Sequence, residues 1–277
     1  MSRTWFITGV SSGFGRAIAE AALAAGDVVA GSVRREEDRP AFEALAPGRA
    51  HALLLDVTDD AAVPAVVDHI EGEIGAIDIL VNNAGYGHEG LVEESTLDAL
   101  RRQFEVNVFG AVAVMKAVLP PMRGRRRGRI LNITSMGGLM TLPGLAYYHG
   151  SKFALEGISE SLGKEVKHLG IHVTAVEPGS FRTDWAGRSM VRAPRSIPDY
   201  DALMDPIRER RQAVSGRQIG DPALLAAAVM RLVTAAEPPA HLLLGSDALR
   251  LVSEKLDLLR AEFAQWQDLT LSTDSPA

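Results

Sequence analysis

The chain begins with a short apolar run, Thr4-Trp5-Phe6-Ile7, that breaks into Thr8-Gly9-Val10-Ser11-Ser12-Gly13-Phe14-Gly15. Beyond it the apolar positions change period: Ile18, Ala21, Ala22 and Ala25 share one side of a helix that stops at Gly26. This exchange of short apolar runs and helical periods repeats along the chain. Strands are predicted at 4–7, 28–33, 51–55, 77–81, 129–134, 171–177 and 241–244. Helices are predicted at 59–75 (Val63, Val66, Val67 and Ile70 inward), 96–119 (Phe104, Val108, Val112 and Met115 inward), 147–169, 222–235 and 248–267. Pro120-Pro121 is expected to end the second of these helices. The Arg- and Pro-rich stretch 185–219 shows no clear pattern and reads as a substrate loop or lid. The polar tail, about 268–277, is expected to fray.

Strands alternating with helices predict an α/β fold, a parallel sheet with helices on both faces. Ligands of such sheets bind beyond the carboxyl ends of the strands. Gly9, Val33, Asp56, Asn83, Ser135 and Pro178 all fall at or just past such ends, which predicts one shared site. No repeat or linker divides the chain, so residues 1–277 read as a single domain.

Composition narrows the function. The absence of cysteine removes disulfides, thiolate metal sites and a cysteine nucleophile. A net charge of −6 gives no reason to expect a nucleic-acid partner, and the glycine-arginine run 123–129 reads as a solvated turn. Seven histidines carry no ligand spacing; His168 and His172 are separated by Gly170, so no metal is expected. No apolar run reaches the ~18–20 residues of a membrane span, and the first run reads as a buried strand, not a signal peptide. A cytoplasmic protein without membrane contact is therefore expected.

Two stretches carry chemistry. Strand, glycine turn and helix is the arrangement that receives a phosphate on backbone N–H groups and a helix N-terminus. Its spacing here is G-x-x-x-G-x-G. The same residues satisfy G-x-S-x-G with Ser11 at its centre, but a hydrolase elbow normally follows several strands, not the first. The second stretch is Tyr148-His149-Gly150-Ser151-Lys152. Tyr148 and Lys152 lie on one helical face, and a nearby ammonium lowers a phenol from its usual ~10 into the range of proton transfer. Tyr147 is rotated off that face. Ser135 could hold a carbonyl or alcohol oxygen against the phenol. Alone, the Tyr–Lys pair is also what an ordinary helix could carry. Asn107 is polar within an apolar helical face and needs partners, either structural or in a relay.

Together these motifs resemble the short-chain dehydrogenase/reductase family over about residues 4–245. The glycine loop matches Thr8 to Gly15, the adenine-side aspartate Asp56, and N-N-A-G Asn82 to Gly85. The family's asparagine, serine and Tyr-x-x-x-Lys match Asn107, Ser135, Tyr148 and Lys152, and its P-G turn with threonine matches Pro178, Gly179 and Thr183. The resemblance implies a Rossmann-like, doubly wound, seven-stranded parallel sheet. It implies hydride transfer between a nicotinamide and a carbonyl or alcohol substrate, with Tyr148 moving the proton and Ser135 positioning the oxygen. Lys152 would lower the phenol pKa and hold the nicotinamide ribose, and Asn107 would order a water. Cofactor contacts are expected at Gly9, Ser11, Ser12, Gly13, Phe14, Gly15, Arg34, Arg35, Asp56, Val57, Asn83, Ala84, Gly85, Tyr148, Lys152, Pro178, Gly179, Phe181 and Thr183. A homodimer or homotetramer is implied, through helices 96–119 and 147–169.

About 20 residues past the glycines an NAD-binding fold places an acid; here stands Val33, followed by Arg34 and Arg35, which suit a 2′-phosphate. NADP(H) is therefore expected over NAD(H), with NAD(H) still possible. The alternatives are a non-catalytic nucleotide-binding sensor of the same fold and a serine hydrolase using Ser11. Leu139, Met140, Leu142, Leu145, Trp185 and Met190, bordered by Tyr86 and His88, are placed to line an apolar cleft or equally to pack. Arg182, Arg188, Arg192 and Arg195 could meet an anion or form a solvated face.

Overall fold

Strands of a parallel sheet covered on both faces read as mostly apolar runs. Seven such strands make one parallel sheet in this protein, its edge strands being less buried than its centre. The computed structural model describes residues 2–183, 187 and 189–275. The strands are β1 (Thr4–Ile7), β2 (Val28–Val33), β3 (Ala50–Leu54), β4 (Ile77–Asn82), β5 (Gly87–Glu89), β6 (Gly128–Ile133), β7 (Ile171–Pro178), β8 (Met190–Arg192) and β9 (His241–Leu244). The main sheet runs β3-β2-β1-β4-β6-β7-β9, all parallel, and β5 pairs with β8 apart from it. The helices are α1 (Gly13–Ala24), α2 (Arg39–Glu43), α3 (Ala62–His69), α4 (Leu97–Phe104), α5 (Ala111–Arg125), α6 (Ala146–Val166), α7 (Asp201–Ala213), α8 (Pro222–Leu232), α9 (Ser246–Gln265) and α10 (Gln267–Leu271).

The period of two along each strand sorts the core into two layers. Trp5, Ile7, Ile79, Val81 and Leu131 face Ile18 and Ala22 of α1 and Leu225 and Val229 of α8. Phe6, Leu80 and Ile130 face Val63 and Val67 of α3, Val114, Met115 and Val118 of α5, and Leu155 of α6. The strand order reverses between β1 and β4, so a crevice opens there beyond the carboxyl ends.

Several elements differ from expectation. Pro120 and Pro121 do not end their helix: α5 runs on to Arg125 and stops at Arg126, whose φ of 53° is left-handed. The last turn is held by tertiary contacts, with Met122 buried against Gly128 and Arg125 paired to Glu71. Between α4 and α5 lies a wide π turn, Glu105–Gly110, of the kind that accumulates at functional sites; it carries Asn107. Taken end to end, Leu97–Arg125 is 29 residues, and an 18-residue window within it has a mean hydropathy of 1.3, long and apolar enough to cross a membrane by length and composition. The expectation of no membrane span concerns unbroken apolar runs, which Glu105, Asn107 and Lys116 interrupt here, and one side of the helix packs on the sheet. Stretch 185–219 is not irregular throughout. It contains β8 and the 13-residue α7, whose period is masked by Pro206 and by charge, and which docks through Met204 and through Arg208 and Arg211 on buried Glu89. The tail, expected to fray, continues as the exposed helix α10.

Candidate active site

The glycine loop is built by what its side chains lack and what its neighbours supply. Gly9 and Gly13 have φ of +74° and +61°, which L side chains rarely adopt. A Cβ on Gly15 would stand 2.2 Å from Gly9 O. Ser32 Oγ accepts from Gly9 N at 3.0 Å, and Asn83 Nδ2 donates to Thr8 O and Gly9 O, each at 2.9 Å. Thr8 Oγ1 accepts from Asn83 N and Ala84 N, so the loops after β1 and β4 are one hydrogen-bonded unit. α1 starts at Gly13 with no side-chain cap and no acid in its first turn, which leaves its first N–H groups facing the crevice. This cradle fits a dinucleotide's pyrophosphate.

A cleft of about 1280 Å³ extends from this loop to α6. That exceeds the ~300–1,000 Å³ of usual small-molecule pockets and leaves room for a dinucleotide and a second molecule. Its walls include every expected cofactor residue except Gly15, which acts from behind by leaving space. Asp56 Oδ1 accepts from Thr58 N and Oγ1, turning the chain so that Val57 lies at the cleft. Phe181 stands edge-on to Phe14 at 5.3 Å between ring centres, and Thr183 faces Gly13. The two arginines after Val33 part ways. Arg35 is gripped by Asp38 at 2.8 and 3.0 Å and touches Glu37, whereas Arg34 is exposed and engages no partner among the described residues. Asp38, a carboxylate on the cleft wall, was not anticipated; only the short helical turn at 36–38 brings it back to Arg35.

At the other end, α6 presents Tyr148 and Lys152 on one face. Tyr148 is hydrogen-bonded to Ser135, whose Oγ also accepts from Gly137 N at 3.0 Å. Lys152 Nζ lies 5.9 Å from the Tyr148 ring centre and donates to Ile133 O at 2.8 Å. The expected lowering of the phenol by Lys152 is not what this geometry gives. Burial pushes Tyr148 up to about 12, with only the Ser135 bond acting the other way. Burial likewise pushes Lys152 down to about 8, against Glu156, which raises it. Tyr147 turns away: its hydroxyl donates to Ser95 O and its ring stacks on His88.

Asn107 is buried and does not line the cleft. Its Nδ2 donates to Tyr86 O and Ser151 Oγ, and its Oδ1 accepts from Tyr86 N, so it braces the turn after β4 against α6. His149, unremarked in the sequence, clamps the loop behind Ser135. Its Nδ1 donates to Gly137 O at 2.7 Å and its Nε2 accepts from Leu142 N at 2.9 Å. Met140, Leu142, Leu145, Met190 and Tyr86 line the cleft; Leu139 and His88 do not, and Trp185 and Arg188 lie outside the described residues. Arg182 pairs with Asp221, Arg192 with Glu89, and Arg195 with Glu94, which accounts for their charge within the protein. The run 123–129 is likewise engaged through Arg125, Arg126, Arg127 and Arg129. Ser11 lines the cleft, and no histidine or acid bonds it among the described residues.

Comparison with known proteins agrees. The family model described as short chain dehydrogenase matches residues 3–191. Oxidoreductase BOA17 of Botryotinia fuckeliana (strain B05.10) is 38% identical over 99% of this chain and 100% of its own length. The NADPH-dependent 3-dehydrocapnine reductase of Ornithobacterium rhinotracheale is 39% identical over 71% of this chain and 72% of its own. A crystal structure of a short-chain dehydrogenase from Streptomyces avermitilis superposes with a TM-score of 0.92 at 42% identity, covering 99% of this chain and 98% of that one. With the doubly wound sheet and its glycine cradle already in view, the chain belongs to the short chain dehydrogenase family and is an NAD(P)-dependent oxidoreductase.

Proposed function

We propose that this protein reduces a ketone or aldehyde carried on an apolar body, using NADPH, with Tyr148 as proton donor. The observation that carries this reading is the convergence of Ser135, Tyr148 and Lys152 on the cleft that the glycine loop opens. When bound, the nicotinamide supplies or accepts the hydride. Tyr148, held near 12, keeps its proton at neutral pH and is therefore the acid of a reduction. Ser135, already bonded to that phenol, offers its hydroxyl to the same carbonyl oxygen. Lys152, which lines the same cleft, would hold the nicotinamide ribose and adds positive charge beside the phenol. The apolar wall of Met140, Leu142, Leu145 and Met190 supports an apolar substrate body.

Exposed Arg34, without an acid at Val33, supports a 2′-phosphate and so NADP(H) over NAD(H). The NADPH-dependent relative points the same way. Pairing of two copies is supported by exposed Phe109 beside α5 and Phe153 on α6.

Tyr148→Phe tests the reading. The variant should fold and bind NADPH while losing roughly 10²–10⁴ in turnover of a ketone panel, followed by NADPH absorbance. Tyr147→Phe should stay within a few-fold of wild type, because it loses only a hydrogen bond to Ser95 O. Equal losses in both, or an active Tyr148→Phe, would refute it.

A further inference from the structure

Behind the catalytic lysine lies a cluster that the reaction above does not use. Glu156 stands one turn beyond Lys152 on α6, Glu177 is the next-to-last residue of β7, and His241 opens β9. Their ligand atoms all lie within 4.8 Å of one another. His241 Nδ1 is 2.8 Å from Glu177 Oε1 and 3.4 Å from Glu156 Oε2. Glu156 is 5% exposed and Glu177 0%, whereas the His241 side chain is 39% exposed. As carboxylates, neither oxygen of Glu156 nor Oε2 of Glu177 finds a donor. Thr134 lies beside Glu156, but its hydroxyl hydrogen goes to Val176 O at 2.9 Å.

Two adjoining buried carboxylates do not both ionise, since burial and mutual repulsion each disfavour the second charge. A proton on Glu156 resolves the orphaned oxygens, because the carboxyl can then donate to Glu177. Burial pushes Glu156 up to about 7, and Glu177 adds to this. Burial works against the His241 imidazolium, but Glu177 and Glu156 together raise it. Beyond its own members, the charged groups that act on the cluster are Lys152 and Glu160 from α6, with Glu160 itself paired to Lys164.

We propose that Glu156 and Glu177 share one proton, exchanged with solvent through His241, and that the negative charge left on the pair holds Lys152 as an ammonium. Glu156 is on this account a positioning residue, acting on the substrate only through Lys152. The inference rests on the reading of Ser135, Tyr148 and Lys152 given above. The proton moves between the carboxyl pair and His241 Nδ1, and leaves to water from Nε2. A cation at the same three ligands is the competing occupant, and the two differ in experiment.

The test is the pH profile of kcat/KM for ketone reduction by the full chain and its variants. In Glu156→Gln the basic limb, where the Lys152 ammonium is lost, should move down by roughly one pH unit. Glu156→Asp, which keeps the charge, should hold the wild-type limb. In His241→Gln, at a half-exposed position that tolerates change, the limb should move in the same direction by less. Should Glu156→Gln fail to fold, His241→Gln and Glu156→Asp carry the comparison. A lower kcat with an unmoved limb would make the cluster purely structural and overturn the proposal. So would stoichiometric Zn²⁺ binding by wild type that Glu156→Gln abolishes. Tyr148→Phe separates the two readings: if it is inactive while the Glu156→Gln limb stays put, only this inference fails.

Discussion

Gly15→Ala probes the cofactor cradle most sharply. The added Cβ would stand 2.2 Å from Gly9 O and 2.5 Å from Asn83 Nδ2. Neither atom can yield easily. Gly9 O accepts from that same Nδ2, which also donates to Thr8 O, and Asn83 N is bonded to Thr8 Oγ1. Overpacking costs about 1–3 kcal/mol and each broken hydrogen bond about 0.5–1.5 kcal/mol. Alanine returns about 0.4–1 kcal/mol through its helix preference and its stiffer unfolded chain. Mid-range values with one or two bonds lost give a net loss of about 2–4 kcal/mol, or roughly 4–16 °C in Tm for a domain of this size. Because the shift moves the N-terminus of α1, NADPH affinity should fall at least about tenfold. Thermal melts with and without NADPH, and a fluorescence titration of NADPH, measure both. Gly26→Ala is the control: its Cβ would meet nothing within 4 Å, so it carries only the cost of φ +86° and should leave NADPH affinity unchanged. A Gly15→Ala protein that melts within two or three degrees of wild type and binds NADPH normally would refute the reasoning.

Two further outcomes follow from named contacts. Arg34→Ala should lower the NADPH-to-NADH ratio of kcat/KM by roughly ten- to a hundredfold, since a hydrogen bond to a charged group contributes about 1.5–3 kcal/mol. Arg35→Ala should do less because Asp38 already holds Arg35, and Val33→Asp should turn preference toward NADH; a wild type favouring NADH would end this account. Glu89→Gln should loosen α7 by removing the buried partner of Arg208, Arg211 and Arg192. Trypsin should then cut at Arg208–Arg211 roughly five- to a hundredfold faster, the equivalent of about 1–3 kcal/mol of local stability, and an unchanged rate would mean that α7 is held by other contacts.

Much of this molecule was legible along the chain because it rests on local periods. Buried parallel strands are apolar runs, α1 announces itself by a change from such a run to helical spacing, and Tyr148 and Lys152 are neighbours on a helix by geometry alone. Strand ends follow from the same runs, so the gathering of Gly9, Asn83, Ser135 and Pro178 at one edge could be anticipated. Tertiary structure decided what depends on partners distant in sequence. It carried α5 through two prolines, because the last turn has Glu71 and Gly128 to hold it. It made a helix of a segment whose prolines and charges read as a loop, since Glu89 lies far upstream to receive those charges. It separated Arg34 from its equal in composition, Arg35, by folding Asp38 back. It raised Tyr148 by burial where the Tyr–Lys spacing alone implies a lowered phenol. And it joined Glu156, Glu177 and His241, which three different elements carry and no spacing links. Local geometry is written in residue order, whereas burial and charge pairing are set by sheet register, which no short stretch contains.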